Sequence, residues 1–219
     1  MDPRSNAYRK LFRSGLVLLL LFVGYGLFLI NWTGSGAGDA STSAALPVFR
    51  ALSSMDLVDQ EGEPVNLQTF RGQPWFANII FTRCPGPCAR MTQKMRQLQE
   101  ALPAEASEVR LVSLTTDPDF DTPEVLSQYA RKFGADTRSW KFLTGTKEEI
   151  VRVSTQEWLL VMLEKEEAER ESPNDIFLHS TLTVLMDGLG RIRGAYEILE
   201  EGQLEEALAD LQRLLQEAF

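Results

Sequence analysis

The order of strand, cysteine loop and helix constrains the fold of this chain more than any other sequence feature. The run WFANIIF from Trp75 to Phe81 is apolar throughout, which is typical of a strand covered on both faces. Cys84 and Cys88 follow this run, and apolar residues then recur at helical spacing from Met91 to Leu102. This order predicts an α/β sheet with the cysteines at the carboxyl end of a long strand.

The alternation of strands and helices continues to the C-terminus, with capping and turn signals at the boundaries. Further strands are predicted within Met55–Leu67, Val109–Leu114 and Trp140–Leu143, and on both sides of the Asp187-Gly188 turn. Helices are predicted to begin after Thr122, at Thr146 and at Leu204, and to end near Gly134, Ser154 and Ala218. These elements predict one domain, from Val48 to Phe219, with a central mixed sheet flanked by helices.

The N-terminal part has a different composition. Residues 1–14 carry basic side chains, and the uncharged run from Gly15 to Trp32 approaches the roughly 20 residues that cross a bilayer as a helix. We predict a cytoplasmic tail over 1–14, a transmembrane anchor over 15–32, and a flexible linker over the small residues 33–47. The alternative is a cleaved signal peptide, which the length of the run and its terminal tryptophan disfavour.

Both alternatives place the C-terminal domain beyond the inner membrane, on the periplasmic side, because the basic flank stays in the cytoplasm. That compartment is oxidising, so a cysteine pair there can form a disulfide. The net charge of -9 argues against nucleic-acid binding. The acidic segment Glu164–Asp175 is interpreted as a solvated insertion rather than a loop that collects a metal ion.

The two thiols in CPGPC leave three uses open: a redox couple, a metal clamp or a structural disulfide. A disulfide that closes so small a loop would stabilise the fold little, which disfavours the third use. If Cys88 begins the following helix, the helix dipole should favour its thiolate.

His179 is the single histidine of the chain, and it precedes a predicted strand that can lie beside the cysteine-bearing strand. Two thiolates and one imidazole suit copper. Zinc is a competitor, but it usually binds four protein ligands, and the chain offers no further Cys or His as the fourth. The thioethers of Met91 and Met95 are assigned to core packing because of their helical spacing.

Four segments together resemble the Sco/SenC family of membrane-anchored copper proteins: FTRCPGPC, TTDPDFDTPEVLSQYARKFG, WKFLTGTKEEI and FLHSTLTVLMDGLGRIRGAY. The resemblance extends from Met55 to Tyr196. It implies a thioredoxin-like fold that binds a copper ion through Cys84, Cys88 and His179. Asp117 matches an acidic position of the family near the metal. The chain departs from the family pattern at Gly86-Pro87, where we expect a stiffer loop.

The resemblance also implies a function: a copper metallochaperone that helps to assemble the copper centre of cytochrome c oxidase. Its implied partners are the copper-bearing oxidase subunit and a periplasmic thiol reductant or copper donor.

Two other functions stay open. A thiol-disulfide oxidoreductase would reduce the cysteines of the oxidase subunit or of another periplasmic partner. Thioredoxin-type reductants resemble one another in a cis-proline before the strand that faces their cysteines, whereas FLHSTLTVL has none. Peroxide reduction is the third possibility, because Thr82 before the cysteine pair weakly resembles the same segment of thioredoxin-like peroxidases. Those enzymes use an arginine to polarise the peroxide, so Arg83 would have to point at the substrate.

Overall fold

An eight-stranded mixed sheet organises the chain in the computed structural model, which describes residues 45–102 and 110–217. Its strands are β1 (Arg50–Ala51), β2 (Asp56–Asp59), β3 (Pro64–Asn66), β4 (Trp75–Ile80), β5 (Arg110–Thr115), β6 (Trp140–Thr144), β9 (Leu182–Met186) and β10 (Arg191–Glu197). A separate hairpin consists of β7 (Met162–Glu164) and β8 (Phe177–His179). The strand order of the sheet is β1-β10-β9-β4-β5-β6-β2-β3. Strands β4, β5 and β6 are parallel, and the other pairs are antiparallel.

The centre of the sheet is its most buried part. All six residues of β4 are buried, as the apolar run predicts for a strand with neighbours on both sides and cover on both faces. Large aromatic rings fill the space around it: Trp75 stacks on Phe70, and Trp140 stacks on Phe142. The carboxyl end of β4, where the cysteine loop begins, is held by its parallel pairing with β5, which continues to Ile80 and Thr115.

Within the described residues, four α-helices accompany the sheet: α1 (Cys88–Ala101), α2 (Pro123–Lys132), α3 (Lys147–Val151) and α4 (Gln203–Gln216). The predicted start of α2 is confirmed, because the Thr122 hydroxyl accepts the backbone N–H of Val125 and Pro123 is the first helical residue. Gly134 follows α2 with φ of +66°, a left-handed conformation that suits glycine. Helix α1 contacts α4, α2 contacts β6, and α4 contacts β10.

The segment after β6 differs from its prediction. Thr146 accepts the N–H of Glu149 at 3.2 Å, but the Glu149 carboxylate accepts the N–H of Asp56 and the guanidinium of Arg152. The capping box that the sequence predicts is therefore half formed, because a cation competes for its acidic member. Helix α3 continues as a π-helical segment, Arg152–Glu157, where the sequence predicts an α-helix to about Ser154.

The packed unit begins at Ala45, before the predicted domain start at Val48. Leu46 is buried, its N–H donates to the Glu217 carboxylate at 2.7 Å, and its carbonyl accepts from Arg193. The predicted tail over 1–14, the anchor over 15–32 and linker residues 33–44 lie outside the described residues. Within the described ranges, no helix combines the length and the apolar character needed to cross a membrane.

Candidate metal centre

The cysteine loop lies at the carboxyl end of β4. The N–H of Cys84 donates to the Phe81 carbonyl at 3.2 Å, so the chain turns as soon as the strand ends. Cys88 is the first residue of α1, and the Pro87 carbonyl before it accepts the N–H of Met91 at 2.9 Å. Pro87 costs the helix nothing at this position, since an N–H there would have no intrahelical acceptor. Strand and helix thus fix the two sulfurs from opposite sides of the loop.

His179 reaches the cysteines from the last position of β8. Its Nε2 lies 3.0 Å from the Cys88 sulfur, and its Nδ1 lies 3.0 Å from the Ser180 carbonyl oxygen. Since that carbonyl only accepts hydrogen bonds, we assign the ring proton to Nδ1. The Phe81 ring packs edge to face against the imidazole at 5.7 Å. The Nε2 lone pair is therefore held towards the sulfurs, as in a histidine oriented for metal binding.

The structure brings together three of the four residues that the sequence singles out. The Sγ atoms of Cys84 and Cys88 and a ring nitrogen of His179 lie within 4.8 Å of one another, and both cysteines are free. Among residues 45–102 and 110–217, no other Cys, His, Asp or Glu cluster reaches this density, so the acidic segment Glu164–Asp175 forms no second one. Two sulfurs and one imidazole nitrogen are soft to borderline donors, which fits copper.

The two thiols have very different acidities. The hydrogen bond from Cys88 lowers the pKa of the Cys84 thiol to about 4, against the opposing effect of burial. The same hydrogen bond, together with burial, raises the pKa of Cys88. Our expectation for Cys88 is therefore wrong, because the N–H at the start of α1 points to the Cys84 sulfur. The N-terminus of α1 therefore stabilises the thiolate of Cys84 and not that of Cys88.

Iodoacetamide should label Cys84 before Cys88 in the metal-free, reduced protein. Cys84 is partly exposed and ionised above about pH 4, whereas Cys88 is 1% exposed and keeps its proton. We expect a labelling rate that is nearly flat between roughly pH 6 and 8, where an ordinary thiol of pKa about 8.5 accelerates about tenfold per pH unit. Peptide mass spectrometry identifies the labelled residue, and free glutathione provides the control. Label on Cys88, or a rate that rises like that of glutathione, would contradict the assignment.

Asp117 is not brought into the ligand cluster. Its carboxylate accepts from the Arg83 guanidinium at 2.7 Å, and its N–H donates to the Thr115 hydroxyl. Arg83 also stacks over the Phe120 ring at 4.1 Å. The positive charge of Arg83 is thus paired with the Asp117 carboxylate. The pair ties the residue before Cys84 to the loop after β5.

The sequence gives no sign of a second carboxylate, Asp121, that also holds the cysteine loop. Asp121 is fully buried and accepts hydrogen bonds from the N–H of Thr82 at 3.0 Å, from the Thr82 hydroxyl and from the Thr115 hydroxyl. Burial raises the pKa of Asp121, although these hydrogen bonds oppose the effect. In the sequence Asp121 is one acid among several in DPDFD, and only the fold distinguishes it.

Replacing Asp121 with alanine should destabilise the protein by about 2–4 kcal/mol, because the part-buried Thr82 N–H and the buried Thr115 hydroxyl lose their acceptor. Urea unfolding followed by circular dichroism measures this change in the free energy of unfolding. Asp119, exposed in the same loop, is the matched control, and Asp119→Ala should change stability by less than about 0.5 kcal/mol. Equal stability of the two variants would contradict a supporting role for Asp121.

A cleft of about 370 Å³ opens beside the thiols. Cys84 and His179 form part of its wall, together with Pro85, Gly86 and Pro87 of the loop. The lining also includes Phe177 and Leu178 of β8 and four residues of the segment that leads to it: Lys165, Glu171, Ser172 and Asp175. A ligand group from another molecule can therefore approach from this side, where Cys84 is accessible and Cys88 is not.

Known proteins resemble this chain in sequence. The model of a family described as SCO1/SenC matches residues 47–216. A Bacillus subtilis (strain 168) protein described as a SCO1 protein homolog is 29% identical over 153 residues, covering 70% of this chain and 77% of the relative. A Stutzerimonas stutzeri protein described as a putative copper-binding protein is 36% identical over 117 residues, covering 53% of this chain and 56% of the relative.

Solved structures resemble the chain over most of its length. A SCO1/SenC family lipoprotein from Bacillus anthracis str. Ames superposes with a TM-score of 0.71 at 29% identity, covering 79% of this chain and all of that one. BsSco, described as a member of the Sco family of cytochrome c oxidase assembly proteins with a disulfide switch, gives a TM-score of 0.67 at 25% identity. That match covers 80% of this chain and all of BsSco.

Proposed function

Because the chain belongs to the SCO1/SenC family and has its thioredoxin-like mixed α/β fold, we propose that it is a copper metallochaperone. Its cargo is a copper ion held by Cys84, Cys88 and His179, and its task is to help assemble the copper centre of cytochrome c oxidase. The observation that carries the proposal is the convergence of three ligand atoms within 4.8 Å. The description of BsSco as an oxidase assembly protein supports the choice of recipient.

The accessibility of the ligands suits a carrier better than a permanent metal site. Cys88 is buried, whereas Cys84 and His179 are half-buried and face the cleft. An incoming thiolate or imidazole from a recipient can therefore displace the ligands on one side of the copper while Cys88 still holds it. Transfer by such ligand exchange needs no change in the protein core.

We further propose that residues 15–32 form a single-pass anchor in the inner membrane, with the domain in the periplasm. The apolar run and its basic N-terminal flank support this topology. The description of the Bacillus anthracis relative as a lipoprotein is consistent with a place at a membrane.

A thiol-disulfide reductase acting on one partner is the second candidate, and the paired acidities of the cysteines favour it. The Cys84 thiolate would attack a partner disulfide, releasing one partner thiolate and forming a mixed disulfide. Cys88, after losing its proton, would then attack the Cys84 sulfur, releasing the second partner thiol and leaving a Cys84–Cys88 disulfide. A thiol reductant would restore the pair. No cis peptide bond occurs in the described residues, so the cis-proline of general reductants has no counterpart there.

The two candidates are separated by mixing the purified full-length chain with the copper-bearing oxidase subunit of the same organism. For a metallochaperone, the copper-loaded chain should transfer about one copper ion to the metal-free, reduced subunit. Copper that stays on the chain would contradict this function. Stoichiometric reduction of the oxidised subunit, without copper transfer to the reduced one, would establish the reductase instead.

A further inference from the structure

Three large apolar side chains are exposed on one face of the hairpin β7–β8. Val161, Leu163 and Leu178 are 54%, 57% and 55% exposed. Leu163 and Leu178 are direct partners in the hairpin register, and Val161 lies two residues before Leu163, on the same face. We refer to these three residues as the hairpin strip. Exposed apolar clusters of this kind are typical of surfaces that contact another molecule.

The hairpin strip is continuous with the metal centre. Leu178 lines the cleft together with Cys84 and His179, and His179 is the next residue of the same strand. The hairpin partner of His179 is Met162, the residue between Val161 and Leu163. His179 and Met162 alternate with the strip residues and so lie on the other face of the hairpin, and the strip meets the cleft through Leu178. A molecule that covers the strip therefore lies at the edge of the cleft that Cys84 and His179 line.

The loop that joins the two strands is strongly acidic. Lys165 pairs with Asp175, and Glu164 pairs with Lys147. Four further exposed glutamates have no ion-pair partner among residues 45–102 and 110–217: Glu166, Glu167, Glu169 and Glu171. Arg170 lies in the same loop, donates to the Lys165 carbonyl and offsets part of this charge. The surface around the hairpin strip still carries net negative charge, which favours a positively charged partner.

We propose that the hairpin strip is the docking surface for the protein that exchanges copper with this chain, and that this partner presents apolar side chains bordered by lysines or arginines. The inference rests on the proposed function. Charge complementarity favours such a partner over a second copy of the chain, whose net charge of -9 would be repelled. Three apolar side chains form a small patch, so the complex should be transient, as copper transfer requires.

The test uses full-length protein, with the metal-free oxidase subunit as the probe and stopped-flow spectroscopy to follow copper transfer. The double variant L163S/L178S should lower the second-order transfer rate at least tenfold while still binding one copper ion. The matched control is Leu189→Ser, because Leu189 is 50% exposed in the β9–β10 turn at the opposite end of the sheet. The variant E167K/E169K should also slow transfer and weaken its salt dependence.

A wild-type rate for L163S/L178S, or an equal loss for Leu189→Ser, would overturn the docking surface. The same holds if L163S/L178S converts a dimer to a monomer in sedimentation without slowing transfer, because the strip would then join two copies. Wild-type protein that binds copper but transfers none would instead refute the proposed function, and the docking inference with it.

Discussion

Copper retention should be lost when either Cys84 or Cys88 is replaced by serine. We expect the copper content of the reduced full-length protein to fall from one ion per chain to below about 0.1 after dialysis against a competing chelator. A serine hydroxyl is a hard, protonated donor, whereas copper prefers soft thiolates, so it does not replace the lost sulfur. Atomic absorption on the dialysed protein measures the change.

Met91→Leu serves as the control for the cysteine variants. Met91 is fully buried in α1, one turn after Cys88, and leucine conserves its volume. The Met91→Leu variant should retain copper like the wild type, because the Met91 thioether is buried and does not line the cleft. Full retention by Cys84→Ser or Cys88→Ser would contradict a site built on both sulfurs, and loss of copper in Met91→Leu would add a thioether ligand that we do not expect.

His179→Ala should weaken copper binding more than about 100-fold. Loss of residues that merely orient a metal ligand costs roughly 10–100-fold in affinity, and His179 is placed as a ligand itself, with a ring nitrogen inside the cluster. Both thiolates remain in this variant, so binding should be weakened rather than abolished. Competition with a chromophoric copper chelator, under anaerobic and reducing conditions, measures the affinity.

Added imidazole should partly restore the affinity of His179→Ala, because it can occupy the space beside the cleft that the side chain leaves. The cysteine variants should gain nothing from imidazole, and they therefore control for unspecific copper binding. An affinity of His179→Ala within about threefold of the wild type would show that the ring only packs against Phe81 and Cys88.

Local signals predict most of the sheet and helices because they act over a few residues. The apolar run of β4, the Thr122-Pro123 start of α2 and the Asp187 turn each determine their own segment. The hairpin β7–β8 is not predicted, because its strands are three residues long and their pairing spans the acidic insertion. The π-helical turn after α3 likewise depends on tertiary contacts, including the Ser53–Glu157 hydrogen bond.

The sequence predicts which residues form the candidate site, but it does not predict which of the two thiols ionises. Soft donor chemistry and the family resemblance point to Cys84, Cys88 and His179, and the fold brings them together. Which thiol ionises depends on where the N–H at the start of α1 points, a detail of loop geometry that residue spacing does not contain. The support of the loop by Asp121 is a long-range contact of the same kind.

X-ray absorption spectroscopy at the copper edge, on reduced full-length protein loaded with one copper(I) ion, tests the three-ligand site most directly. We predict two sulfur neighbours and one nitrogen neighbour, with the nitrogen signal lost in His179→Ala. A first shell without sulfur, or one that is unchanged in His179→Ala, would contradict the site formed by Cys84, Cys88 and His179.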